Sequence, residues 1–156
     1  MINSPILKVE LLTVSASVNV RRQQRGFTLL ELMVTFAIIA ILATIAIPAY
    51  SEYVKQGKVA EATSTLADLR IRTEQYFQDT RTYENAPCEP EPGTTKHFDF
   101  VCERGPATYT ITARGKSDQD LSGFEFTINQ DNLKTSKYEG AVGDSCWITK
   151  KGGTCQ

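Results

Sequence analysis

At 156 residues the chain has room for one ordinary domain and not comfortably for two. Its 17 basic and 18 acidic residues leave a formal charge of -1, which excludes an overall basic footprint for nucleic acid and an acidic tail. Four cysteines, Cys88, Cys102, Cys146 and Cys155, all lie in the C-terminal half and outside any CxxC spacing, the usage of two disulfides in an oxidising compartment rather than of a zinc site.

Met1 to Val20 holds scattered apolar residues broken by Lys8, Glu10 and Asn19, too interrupted to cross a bilayer. The basic run begins only at Arg21, and a translation start near Val20 would give a much shorter leader. From Phe27 to Ile47 the chain is apolar apart from Thr28, Glu31, Thr35 and Thr44. That is about the 20 residues a helix needs to cross a hydrocarbon core, and it predicts a membrane span. Arg21, Arg22 and Arg25 precede it, so the positive-inside rule predicts a cytoplasmic N-terminus and delivers the cysteines to the far side.

Pro48 lacks the amide that would bond the carbonyl of Thr44, so a kink or local break is expected where the span ends. Helical character then resumes. Val59, Ala62, Leu66, Leu69, Thr73 and Tyr76 recur at spacings of three and four, the period of an apolar stripe against which a head must pack. Asp79 to Pro106 has turn chemistry and reads as a long loop tied down by Cys88 and Cys102. Thr108 to Ala113 and Phe124 to Asn129 alternate apolar and polar residues and read as half-buried strands. Leu133 to Tyr138 is a third, reached through a hairpin turn at Gln130-Asp131-Asn132. Gly140 to Gln156 reads as a loop pinned by Cys146 and Cys155. Three cysteine connectivities are open, and the sequence-adjacent one is adopted; each bridge then closes a loop of about ten to fifteen residues, contributing about 3 kcal/mol.

Arg25-Gly26-Phe27-Thr28-Leu29-Leu30-Glu31-Leu32-Met33-Val34, followed by the long apolar run, Ile47-Pro48-Ala49-Tyr50 and a C-terminal cysteine loop, resembles the type IV pilins. The resemblance is specific over the first thirty residues after the leader and holds only in outline for the head. It implies an α+β pilin fold, a long N-terminal helix packed on a small antiparallel sheet with a disulfide-pinned C-terminal loop. It divides the chain into a leader, 1–26, a transmembrane and filament-core helix, 27–49, and a periplasmic or extracellular head, 50–156. It implies cleavage between Gly26 and Phe27 by a membrane-embedded prepilin peptidase, N-methylation of Phe27, and polymerisation with other pilin subunits by the inner-membrane assembly machinery of a Gram-negative bacterium. The stretch from Tyr76 to Tyr83 ahead of Cys88 and Cys102 looks like minor pilins. A pseudopilin of a type II secretion system, or an anchored periplasmic binding module that never polymerises, are the rival readings. Many pilins carry a glycine midway along the span; this chain has none between Phe27 and Pro48, so any loosening of the helix there rests on Pro48.

Physical chemistry bears on the same pattern independently. A carboxylate inside a membrane span costs on the order of 3 kcal/mol at the bilayer centre and usually marks function. Glu31 lies four residues after Phe27, so an amine freed there is within helical reach, and in a filament the carboxylate can pair with a neighbour's amine. A misdocked subunit would leave that charge buried and unpaired, which sets register.

Elsewhere the signals are weaker. His97 between Cys88 and Cys102 makes a Cys2His zinc site conceivable, but ligand spacing argues against it, and no metal or cofactor is expected. Glu84, Glu89, Glu91 and Asp99 flank the first cysteine loop without calcium-ligand spacing, and Ser145 has no second histidine-type partner, so the protein is read as a peptidase substrate and not an enzyme. Lys134, Lys137, Lys150 and Lys151, with Tyr138 and Trp147, suggest a basic aromatic surface for DNA. The competing reading is solvated lysines and a Trp packed on the Cys146 to Cys155 bridge.

Overall fold

The computed structural model describes residues 26–153 and residue 155. The leader arginines behind the topology expectation lie outside them. Helix α1 (Leu29–Thr80) is followed by strands β1 (Phe98–Arg104), β2 (Tyr109–Gly115), β3 (Glu125–Asn129), β4 (Lys134–Tyr138) and β5 (Ala141–Gly143), with a 3-10 turn, Ser117–Gln119, between β2 and β3. The chain divides into two compact units that meet between Ile38 and Ile39. α1 continues through Pro48, so the local break allowed for there does not end the helix. Its apolar N-terminal stretch is long enough to cross a membrane and is not buried.

In the larger unit all five strands are antiparallel and lie in chain order, β1-β2-β3-β4-β5. Val59, Ala62, Leu66, Leu69 and Thr73, the stripe expected from periodicity, are the buried residues of α1. The first four join Phe98, Tyr109, Ile111, Ala113, Phe126, Ile128 and Tyr138 from alternate strand positions in one core cluster, while Tyr76 is partly buried against it. Each fully buried Val, Leu, Ile or Phe here contributes roughly 1.5–3 kcal/mol. Thr73 enters the core because its hydroxyl donates to the carbonyl of Leu69, 2.8 Å away.

Two strands lie where the sequence reading placed loops. β1 falls within the stretch read as a turn-rich loop, and β5 within the tail read as a loop. β1 does alternate Phe98, Phe100 and Cys102 inward, but Asp99, Glu103 and its turn-forming flanks mask that period, as befits a charged edge strand. β5 is only three residues and exists because it pairs with β4. The hairpin at Gln130-Asp131-Asn132 is present: Asn132 has φ 59°, and the Asn129 side chain accepts from the amides of Asp131 and Leu133.

Cys88 is bonded to Cys102 and Cys146 to Cys155. The first loop is also held to α1 by Glu61, which accepts from the amides of Lys96 and His97 and lies 2.8 Å from His97 Nδ1. Burial alone would raise the Glu61 pKa, but these contacts from His97 hold it below the ordinary value. The C-terminal loop is held by a second carboxylate. Glu52 accepts from the Tyr138 hydroxyl at 2.6 Å and from the amide of Lys151 at 3.0 Å. Beside it, Glu139 pairs with Lys55 and, at 3.3 Å, with Lys151.

The Tyr138 hydroxyl first, and then the Lys151 amide, depress the Glu52 pKa below 4.5; Lys55 depresses that of Glu139 in the same way. Carboxylates depressed by folding stabilise above their unfolded pKa and lose that contribution as pH falls through the folded value. The loop clamp is therefore intact at neutral pH and is lost on acidification, as pH falls through the depressed folded values of these carboxylates. We expect Glu52→Gln to cost about 1 kcal/mol at neutral pH and progressively less as the solution is acidified, read as thermal unfolding across a pH series. Leu66→Ala should cost about 2–5 kcal/mol in guanidinium denaturation followed by circular dichroism, against under about 0.5 kcal/mol for the exposed Ile71→Ala.

Candidate functional site

In the N-terminal unit, Gly26, Phe27, Thr28 and Glu31 line one concavity. The Thr28 hydroxyl accepts from the amide of Glu31 at 3.1 Å, which makes Thr28 the N-cap of α1 and Glu31 its third helical residue. Thr-x-x-Glu is the capping-box spacing, a signal present in the sequence that the charge argument overlooked. Glu31 thus sits in the first turn, where the helix dipole also favours a negative charge. Phe27 is 77% exposed, and the large apolar residues from Leu29 to Ile47 are exposed as well. An unburied apolar surface of this extent requires either lipid or other protein to cover it.

In the larger unit the four candidate lysines do not share one surface. Lys134 and Lys137 are three apart on β4, so their side chains leave the sheet on opposite faces. Lys137 lies 3.1 Å from Glu125, which also meets Arg114 at 3.3 Å, and the lysine first, then the arginine, lowers the Glu125 pKa. Lys151 is drawn to Glu139, whereas Lys150 projects from the loop and is exposed. Tyr138 cannot serve as a stacking platform, since it is 1% exposed and its hydroxyl is spent on Glu52.

Trp147 is placed differently. Its indole N–H donates to the carbonyl of Thr127 at 2.8 Å, and Lys134 Nζ stands 4.8 Å from the ring centroid. The two peptide groups flanking it are tied to β4 by the buried Ser136, whose hydroxyl donates to Cys146 O at 3.0 Å and accepts from Ile148 N at 2.9 Å. Gly143 is required beside this clamp, because a Cβ there would come within 2.7 Å of both Ser136 Oγ and Cys146 O. Ser136 and Gly143 went unnoticed in the sequence because nothing local marks a serine that bonds ten and twelve residues away.

A groove beside Trp147 is lined by Thr63 and Ser64 of α1, Asn132 of the β3–β4 turn, Lys134 and Thr149. No carboxylate lines it among the described residues. The zinc reading does not survive, since both sulfurs of Cys88 and Cys102 are in a disulfide and His97 faces Glu61. Among the described residues no group of three or more His, Cys, Asp and Glu could hold a metal ion.

Comparison with known proteins bears on both ends of the chain. Residues 21–47 match the profile of the prokaryotic N-terminal methylation motif. Residues 48–139 match the profile described as type IV minor pilin ComP, DNA uptake sequence receptor. Among similar proteins, the type IV major fimbrial protein FimA of Dichelobacter nodosus strain VCS1703A is 37% identical over 106 residues, 67% of this chain and 65% of FimA. The match thus spans somewhat less than two thirds of that relative's length. A fimbrial protein of Dichelobacter nodosus is 48% identical over 110 residues, 69% of this chain and 68% of that protein. Among solved structures, the non-core minor pilin PilV of Neisseria meningitidis matches with 15% identity and a TM-score of 0.47, over 67% of this chain and 95% of PilV.

Proposed function

The chain belongs to the type IV pilin family, and on that premise we propose that it is a minor pilin, made as a prepilin and assembled into a pilus through α1, whose head contacts DNA. The observation that carries the assembly reading is the methylation motif at 21–47, continuous with an apolar helix that nothing among the described residues covers. In this proposal residues 1–26 are the leader and 27–49 the membrane and filament-core helix, with Pro48 marking a kink. Residues 50–156 form the head. The peptidase cuts between Gly26 and Phe27, and Phe27 is N-methylated. The precursor sits in the inner membrane with a cytoplasmic N-terminus, and the mature subunit is displayed at the surface of a Gram-negative cell. The protein is then a processing substrate and a structural subunit, with no catalysis of its own.

Assembly follows from the charge in the span. With lipid around α1, Glu31 can be matched by the amine of its own Phe27, four residues back and beside the same concavity. In the filament a neighbour's amine replaces it. Methylation leaves that amine positive, so the pairing survives modification. An unpaired charge in such surroundings costs about 3–5 kcal/mol, enough to reject a subunit docked out of register.

DNA contact is supported by the receptor profile over residues 48–139 and by the groove at Lys134 and Trp147, which no carboxylate lines among the described residues. Of the four lysines, Lys134 and Lys150 are the better phosphate contacts, because Lys137 and Lys151 already face Glu125 and Glu139.

Three measurements check these statements. The N-terminal mass of protein recovered from membranes should be that of a chain beginning at N-methylated Phe27; a chain retaining Arg25 and Gly26 would exclude processing. Glu31→Ala should be processed and folded normally yet appear in sheared filaments at less than about one tenth of the wild-type level, given the size of the unpaired-charge penalty. Wild-type abundance there would remove the register role. In mobility-shift assays on the full-length protein, Lys150→Ala should weaken DNA binding at every sequence tried and reduce the salt slope by about one.

A further inference from the structure

We propose that the groove beside Trp147 is a stacking slot for a single unpaired nucleobase, with Lys134 taking the attached phosphate. This rests on the DNA-contact reading above and specifies which form of DNA the head engages there.

The support for the indole is unusually complete for a half-buried side chain on a terminal loop. Ser136 pins the peptide groups on both sides of it, Thr127 O holds its N–H, and the Cys146–Cys155 bridge starts at the preceding residue. Such pre-organisation lowers the entropy lost on binding. The core does not require it, since Trp147 only packs against the edge of the buried cluster.

The surrounding chemistry selects the ligand. One cation, one indole and the hydroxyl or amide groups of Thr63, Ser64, Asn132 and Thr149 meet in a groove free of carboxylates among the described residues. Acidic residues slightly outnumber basic ones in the whole chain, so their absence here is a local feature. Lys134 over the ring is itself a cation–π contact that a phosphate can displace, freeing the π-face as the ammonium swings to the anion. Asn132 can then bond a base edge. The faces of bases in an intact duplex are already stacked, so only a single strand or an extruded base can occupy such a slot.

Trp147 is the only tryptophan in the sequence, so indole fluorescence of the full-length protein in detergent reports on this groove alone. The probes are a single-stranded oligonucleotide, the same strand carrying abasic sites, and its blunt duplex. Saturable quenching is expected with the single strand. The abasic strand should bind about tenfold more weakly without quenching, and the duplex should leave fluorescence unchanged. Lys134→Gln should weaken the single strand and lower its salt slope by about one. Trp147→Phe, which keeps an aromatic face, should bind within a few-fold of wild type and guards against a misfolded Trp147→Ala. Equal quenching by the abasic strand, or DNA binding in a mobility shift with unchanged fluorescence, would overturn the slot while leaving lysine-mediated DNA contact standing. No binding of any of the three DNAs would overturn the DNA reading itself.

Discussion

The packing of one helical stripe against one sheet face is what the head depends on. Val59, Ala62, Leu66, Leu69 and Thr73 recur on a single side of α1, and alternate residues of β1 to β4 supply the opposing surface. A five-stranded meander has no buried face of its own until a helix covers it, and the stripe has no partner until the sheet forms. Each is therefore stable only in the presence of the other. The two disulfides and the two carboxylate clamps then act on the parts that the stripe does not reach.

Those parts are the loops, and polar contacts hold them. Glu61 ties the first cysteine loop to α1, and Glu52 ties the second. Phe98 of the first loop and Ile148 of the second reach the core, but the rest of both loops is rich in turn residues that burial does not anchor. A carboxylate that accepts backbone amides can anchor such a loop, because it satisfies donors that would otherwise need water. The consequence is that the presentation of the C-terminal loop depends on ionised glutamates. Ser136 does for Trp147 what Glu52 does for Lys151, from a buried position and without charge.

The N-terminal unit obeys a different logic. There Glu31 is not needed for the fold, and the Thr28 cap would close the helix with another residue in its place. In the proposed function its cost in an apolar stretch is met by a partner outside the chain. An apolar surface that nothing among the described residues covers fits the same proposal.

The parts of this protein written in short-range pattern were legible in the sequence. The processing motif, the apolar span, the α1 stripe, three strands and the hairpin turn all depend on residues within a few positions of one another, where period and turn chemistry act directly. β1 was missed because its outward charges and flanking turns hide the alternation, and β5 because three residues carry no period. At the candidate site, Lys134 and Trp147 were singled out by type, but so were Lys137 and Tyr138, which the sheet sends to the far face and into the core. By itself the sequence determined the helix, its apolar span and the position of the charge, since these follow from local hydropathy and spacing. Only the tertiary structure decided which lysine meets the indole and which serine holds it, because those contacts join residues many positions apart and depend on which face of a strand each side chain leaves.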